Sequence, residues 1–238
     1  MSASTPNPLP LPIRVLSSMA TKQILADLVA LYQSKTGQAV SVASVGGVDA
    51  AKRVQAGEAF DIVILARNAM DALHGAGKLV DGSLRDLVVS GVGVAVQSGT
   101  PHPDIASEDA VKQAVLAAPT LGYSTGPSGV QLAKLFERWG IADVVKPRIV
   151  QAPPGIPVGA LIAKGEVALG FQQLSELLNV PGVELVGMLP QPIEIITTFS
   201  GAVAATCTQP EAASALLRFL ASPASAAAIR QNGMERPD

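Results

Sequence analysis

The sequence predicts an α/β protein built on parallel sheets. Short apolar runs of strand length alternate with stretches whose apolar residues recur at helical spacing, over most of the chain. Hydrophobic residues make up 48% of the chain but aromatics only 3%; Ala, Val, Leu and Gly dominate, which suits helices packed closely on a sheet rather than a β-sandwich. The run Phe60-Asp61-Ile62-Val63-Ile64-Leu65 is wholly apolar after its Asp, as a central strand buried on both faces requires.

The elements follow in order. Ile13–Leu16 reads as a strand, followed by Ser17-Ser18-Met19 and a helix with Ile24, Leu25, Leu28, Leu31 and Tyr32 on one face, ending near Gly37. Ala39–Ala43 is a second strand, and Ser44-Val45-Gly46-Gly47 its polar turn. A short helix runs from Val48 to Ala56, closed by Gly57. After the third strand, Asn68 is placed to cap a helix from Ala69. Gly91–Val96 is a strand, and a loop then leads to a helix over Glu108–Ala117. Leu121-Gly122-Tyr123 ends a strand, Ser124–Gly129 is a turn of hydroxyls and glycines, and Leu132, Leu135, Phe136 and Trp139 mark the next helix. Ser128 stands three residues before Gln131, the spacing of a capping box. Strands at Pro147–Val150, Val167–Phe171, Val183–Val186, Ile193–Ile196 and Gly201–Ala205 follow, then helices over Pro210–Leu220 and Pro223–Gln231.

Composition removes several function classes. The net charge of −2, with no basic run, argues against a nucleic-acid surface. The single cysteine, Cys207, allows neither an internal disulfide nor a multi-thiolate metal site, and its apolar surroundings mark a structural thiol rather than a nucleophile. His74 and His102 are far apart, in a helix end and a Pro-flanked loop, and make an improbable metal pair; no metal and no cofactor is expected. Neither GxGxxG after the first strand nor GxxxxGK[ST] is present. No run is long and unbroken enough to span a membrane. Met1–Pro12, rich in Pro, Ser and Asn, reads as a flexible tail and not as a signal peptide. The expectation is therefore a cytoplasmic monomer as written, periplasmic if a leader has been removed.

In open α/β sheets ligands bind beyond the carboxyl ends of the strands. Five such ends carry small or polar residues: Ser17-Ser18, Gly46-Gly47, the turn with Ser124, Thr125, Ser128 and Gly129, Pro154-Gly155, and Gln172-Gln173. Each of the first four precedes a helix, whose free N–H groups favour an anion. Any one of these turns can be a mere cap; converging, they form a site for a small anion or carboxylate. Arg67, at the end of the third strand, is the best-placed fixed positive charge, or else a solvated surface arginine.

Read together, the landmarks resemble the molybdate-binding proteins of ABC transporters, a family of two-lobed solute-binding proteins with the type 2 periplasmic-binding fold. The likeness rests on Val15-Leu16-Ser17-Ser18-Met19, Tyr32–Gly37, Val54–Gly57 with Phe60–Val63, Lys164–Gly170 and Phe219–Pro223, in that order. It implies a ligand cleft between two lobes that close about a hinge, joined by crossover strands at Gly91–Val96 and Ile193–Phe199. One lobe would comprise 13–90 with 193–238, the other 91–192. Of the family's ligand positions, Ser18 keeps its hydroxyl, Gly47 replaces a serine, Gln173 replaces a tyrosine, and the backbone amides fall near Gly129 and Gly155. Two of three side-chain hydroxyls are missing, so a tetrahedral oxyanion is a poor match.

The resulting expectation is a binder of a small anionic solute, an organic di- or tricarboxylate rather than molybdate, with an ABC permease as partner if the chain is exported. The alternative is an isomerase that shifts a proton along an unsaturated tricarboxylate, since some relatives of the family resemble aconitate isomerase. No base for that reaction stands out: neither histidine lies near a predicted cleft loop, and Lys22 would have to shed its charge.

Overall fold

The computed structural model describes residues 11–153 and 155–237; Pro154 and the first ten residues of the expected tail lie outside them. The chain begins with β1 (Ile13–Ser18), a 3-10 turn (Met19–Thr21), α1 (Lys22–Thr36), β2 (Val40–Val45), α2 (Gly47–Gln55), β3 (Ile62–Ala66) and α3 (Arg67–Gly75). It continues through β4 (Arg85–Gln97), α4 (Glu108–Ala117), β5 (Leu121–Tyr123), α5 (Pro127–Arg138), α6 (Ala142–Val145), β6 (Ile149–Gln151), α7 (Val158–Ala163), β7 (Leu169–Gln173) and α8 (Leu174–Leu177). It closes with β8 (Val183–Met188), β9 (Ile196–Val203), α9 (Pro210–Leu220) and α10 (Ala226–Gln231).

The sheet runs β2-β1-β3-β9-β4-β7-β5-β6, with β8 also paired to β4. β1 lies parallel to both β2 and β3, and β5 parallel to both β6 and β7. Each parallel group is a run of βα units, which is why the local periodicity reported them well. The two groups meet through long antiparallel strands. Residues Arg85–Gly91 of β4 pair with β9, while Val92–Ala95 of the same strand pair with β7 and Gly93–Gln97 with β8. One strand thus passes from the first half of the sheet into the second, and β9 brings the chain back against β3 and β4.

Four hydrophobic clusters follow this division. Two are drawn from residues between Ile13 and Val88 and between Phe199 and Met234, packing α1 and α9 on one face of the first half-sheet and α2 and α3 on the other. The other two are drawn from residues between Val92 and Ile195. The molecule is therefore two-lobed, each lobe with its own buried core. All five residues of β3 are buried, as its apolar run requires. Gly201, within β9, is needed for close packing: a Cβ there would meet Leu217 Cδ2 at 2.8 Å and Leu87 Cδ1 at 2.9 Å.

Several boundaries differ from those read in the sequence. β4 starts at Arg85, not Gly91; its charged opening, Arg85-Asp86, hides a first half of the strand that pairs with β9 from Arg85 to Gly91. The separate strands expected at 193–196 and 201–205 are one element, β9, preceded by a 3-10 turn at Gln191–Ile193. Lys146–Arg148 is a 3-10 turn and the strand after it is Ile149–Gln151, because Pro147 cannot donate to a ladder. On α1, Val29 joins the buried face, and Leu31 is only partly covered.

Candidate functional site

A cleft of about 680 Å³ lies between the lobes, lined by the carboxyl ends of β1, β3 and β7 and the turns that open α2, α5 and α7. Crossover strand β9 contributes Thr197 and Phe199 to it. This is the size of a small-molecule site, with a largely apolar wall and a few polar groups converging on it.

On the first lobe, Ser18 lines the cleft and is 6% exposed. Its Oγ has only a long contact, 3.4 Å, with Thr21 Oγ1, and makes no cap bond to the 3-10 turn. Ser17 is fully buried, its Oγ 2.8 Å from Ser44 Oγ, and does not reach the cleft. Gly46 and Gly47 both line it. A Cβ built on Gly47 would meet only Ser18 Cβ, at 3.9 Å, so a side chain would fit here and its absence leaves open space. The first turn of α2 brings Asp49, and its last turn brings Lys52, to the same wall.

Arg67 is not in this cleft. It opens α3 directly after β3, and its guanidinium turns to Asp71, at 2.8 Å one helical turn on, and to Asp86 of β4, at 2.9 Å. Both acids pull it away from the cleft, and Lys52 is the cation that lines it. Asn68 is not a cap: Ala66 holds that position without a side-chain bond, and Asn68 sits inside the helix facing the cleft.

On the second lobe, Ser124, Thr125 and Ser128 line the cleft. The capping-box reading of Ser128 does not hold. α5 begins two residues earlier than that reading requires, with Gly126 as N-cap and Pro127 in its first position, so Ser128 lies inside the first turn with no capping bond. The local bond is instead made by Ser124, whose Oγ accepts from the Gly126 N–H at 3.3 Å. Gly129 is a packing position: a Cβ there would stand 1.8 Å from the Ser124 carbonyl oxygen, so only glycine lets the helix approach its own turn. Gly155 lines the cleft at φ 79°, a backbone conformation that suits glycine; Pro154 lies outside the described residues.

Gln172 and Gln173, at the end of β7, are 3% and 4% exposed and both line the cleft. Gln172 Oε1 accepts from the Gly159 N–H at 3.3 Å, and its Nε2 donates to Glu176 Oε1 at 2.8 Å. Gln173 Nε2 donates to Thr197 Oγ1 at 2.8 Å, which leaves its own Oε1 buried without a partner.

Glu176 is the residue that sequence reasoning missed. It lies in the short helix α8, partly exposed at the cleft wall, with its carboxyl largely enclosed by protein. Burial strips water from the carboxylate and pushes its pKa up to about 7, against a smaller lowering by the Gln172 amide. No cation pairs with it among the described residues. A carboxyl poised near neutrality can both take and return a proton. One signal was available: Glu176 is the single charged residue between Val167 and Pro181, among leucines that would otherwise read as core. Thr197, Asn68, Asp49 and Lys52 carried no comparable signal.

The remaining titratable candidates lie elsewhere. His74 pairs with Asp81 and His102 with Glu184, each at 3.0 Å, on exposed surface. Lys22 opens α1, exposed and outside the cleft lining. Cys207 is partly buried and its thiol is pushed up, first by that burial, as suits an inert side chain. Among the described residues, no group of three or more His, Cys, Asp or Glu could hold a metal ion, and no single helix is long and apolar enough to cross a membrane.

Comparison with known proteins places this architecture. The Azotobacter vinelandii periplasmic molybdate-binding protein superposes with a TM-score of 0.80 at 17% identity, covering 95% of this chain and 100% of that one. The sulfate-binding protein of Mycobacterium tuberculosis superposes at 0.76 and 15% identity, covering 95% and 87%. At these identities the likeness is one of fold. An aconitate isomerase from Pseudomonas sp is much nearer in sequence, 38% identical over an alignment of 231 residues that covers 94% of this chain and 87% of that protein. The family described as bacterial extracellular solute-binding protein matches residues 13–235, nearly the whole described chain, and it is to this family that the chain belongs.

Proposed function

We propose that the chain holds a small unsaturated polycarboxylate between its lobes and moves a proton along it, as an isomerase of the aconitate type. The observation that carries this reading is Glu176, a carboxyl in the cleft wall whose pKa is pushed up to about 7 by burial and which makes no ion pair among the described residues. The named activity of the 38% identical relative supports it. Gly47 and Gln173 carry no hydroxyl where the molybdate-binding resemblance expects one, which supports an organic acid over a tetrahedral oxyanion.

The chemistry needs one base and a set of donors. In aconitate, propene-1,2,3-tricarboxylate, the methylene hydrogens are acidified by the adjoining carboxylate and by conjugation through the double bond. Ionised Glu176 takes one of them. The electron pair spreads over three carbons and their carboxylates, and the proton returns from Glu176 to the far carbon, so the double bond moves by one position. The Ser18 hydroxyl and the turn at Ser124–Gly126 are placed to hold carboxylate oxygens as charge develops on them.

Proton NMR of aconitate with the purified chain in D2O tests this. The methylene signal should be lost to deuterium as the isomer forms, and Glu176→Gln should slow exchange by about 10²–10⁴ while still binding the acid in a calorimeter. Exchange by Glu176→Gln at the native rate would remove the base assignment. A native chain that binds aconitate without exchange would support the second reading, a solute receptor that delivers the acid to an ABC permease. The match to the solute-binding family favours that reading.

A further inference from the structure

The charges of the cleft narrow the acid further. Among the described lining residues the charged side chains are Asp49, Lys52 and Glu176. Lys52 is the one cation and forms no ion pair among the described residues. Asp49 lies in the first turn of α2, so the positive end of that helix already has its carboxylate. On the facing wall the Ser124–Gly126 turn opens α5, a helix of 12 residues with no acid in its first turn. Gln173 stands at the end of β7 on that same lobe, 4% exposed and with one amide oxygen unpartnered. Since the Thr197 hydroxyl can donate as well as accept, the Gln173 amide can turn and offer its NH2 to a ligand oxygen.

The cleft therefore has two anchors for negative oxygen, one on each lobe. Apart from the acids Asp49 and Glu176, the rest of the described wall is uncharged: hydroxyl from Ser18 and Thr197, amide from Gln55, Asn68 and Gln172, and hydrocarbon from Leu65, Ala69, Ile156 and Phe199. Among the described residues a third carboxylate would find acids, neutral donors or hydrocarbon but no second fixed positive charge, and a carboxylate without a charged partner resists losing its water. Resting on the isomerase reading, we propose that the substrate class is an unsaturated dicarboxylate whose third arm is small and apolar, the tricarboxylate being accepted with its extra carboxylate turned to water. A site rejects an analogue strongly only where it holds a buried partner for the missing group, and no charged partner for a third carboxylate is present here.

Methylenesuccinate is the simplest such acid. Glu176 takes a proton from the CH2 beside its carboxylate, the electron pair moves through the double bond, and the same residue returns the proton to the terminal CH2, which becomes a methyl group. No oxidant, reductant or water is consumed.

The test is proton NMR of the full chain with aconitate and with methylenesuccinate at equal concentration. A growing methyl signal, with kcat/KM within tenfold of that for aconitate or above it, supports the proposal. Isomerisation of aconitate with methylenesuccinate more than tenfold slower overturns it and leaves the isomerase reading standing. If neither acid isomerises, both fall. Ala69→Lys adds a cation to the hydrocarbon wall and should raise the preference for aconitate over methylenesuccinate at least tenfold; an unchanged ratio would mean that the third arm does not lie there.

Discussion

Gln172 Nε2 donates to Glu176 Oε1 at 2.8 Å, while Oε1 of the same amide accepts from the Gly159 N–H in α7 at 3.3 Å. One side chain thereby ties the candidate base, in α8, to α7, the helix that precedes β7. The end of β7 sets the amide, and the amide sets the carboxyl, so the two residues form one positioned unit rather than two independent ligands. A hydrogen bond to a carboxylate contributes about 1.5–3 kcal/mol, enough to favour one rotamer of the glutamate side chain.

Gln172→Leu should separate position from chemistry. The variant removes the donor that lowers the pKa of Glu176, so the rise of kcat/KM with pH should move upward from about 7. The maximal rate should fall about tenfold or more because the carboxyl is no longer aimed. A pH-rate profile that keeps the native midpoint would show that the amide does not act on Glu176.

The same burial makes Glu176 a cost to the fold at neutral pH. Its pKa is raised in the folded chain, from 4.5 to about 7. Below 4.5 the carboxyl is protonated in both states and folding is unaffected. Between the two values the unfolded chain ionises and the folded one does not, so stability falls as pH rises, by up to about 3 kcal/mol at about 1.4 kcal/mol for each pH unit. Glu176→Gln lacks this dependence. Urea melts at pH 5 and pH 8 should show the variant gaining on the native protein at the higher pH, and parallel losses in both would contradict the raised value.

Ser18 and Ser128 can be told apart from a capping serine by stability. Neither makes a capping bond, and both face the cleft. Loss of a true cap costs about 0.5–2 kcal/mol with or without ligand. Ser18→Ala should instead weaken binding of aconitate about tenfold and leave the unliganded melting temperature nearly unchanged. Ser124→Ala, which removes the acceptor of the Gly126 N–H, should lower the melting temperature of the free protein. Calorimetry and thermal melts on the three proteins decide the matter, and normal binding by Ser18→Ala would exclude it from the site.

What the sequence determined on its own was whatever local pattern controls. The alternation of βα units, the buried third strand, the helix over Glu108–Ala117 and the polar turns beyond the strands follow from periodicity, glycines and chain breakers within a few residues of each other. That is why Ser18, Gly46, Gly47, Ser124, Thr125, Ser128, Gly155, Gln172 and Gln173 could be named as a converging set. Tertiary structure decided the rest. Arg67 is drawn off by Asp86, 19 residues along on β4, a partner that no local rule supplies. Thr197 meets Gln173 only because β9 and β7 both pair with β4, bringing residues 24 apart within hydrogen-bond reach. Glu176 looked like one acid among leucines; its raised pKa is a property of the protein packed around it, and burial by distant segments is not written in the neighbours of a residue.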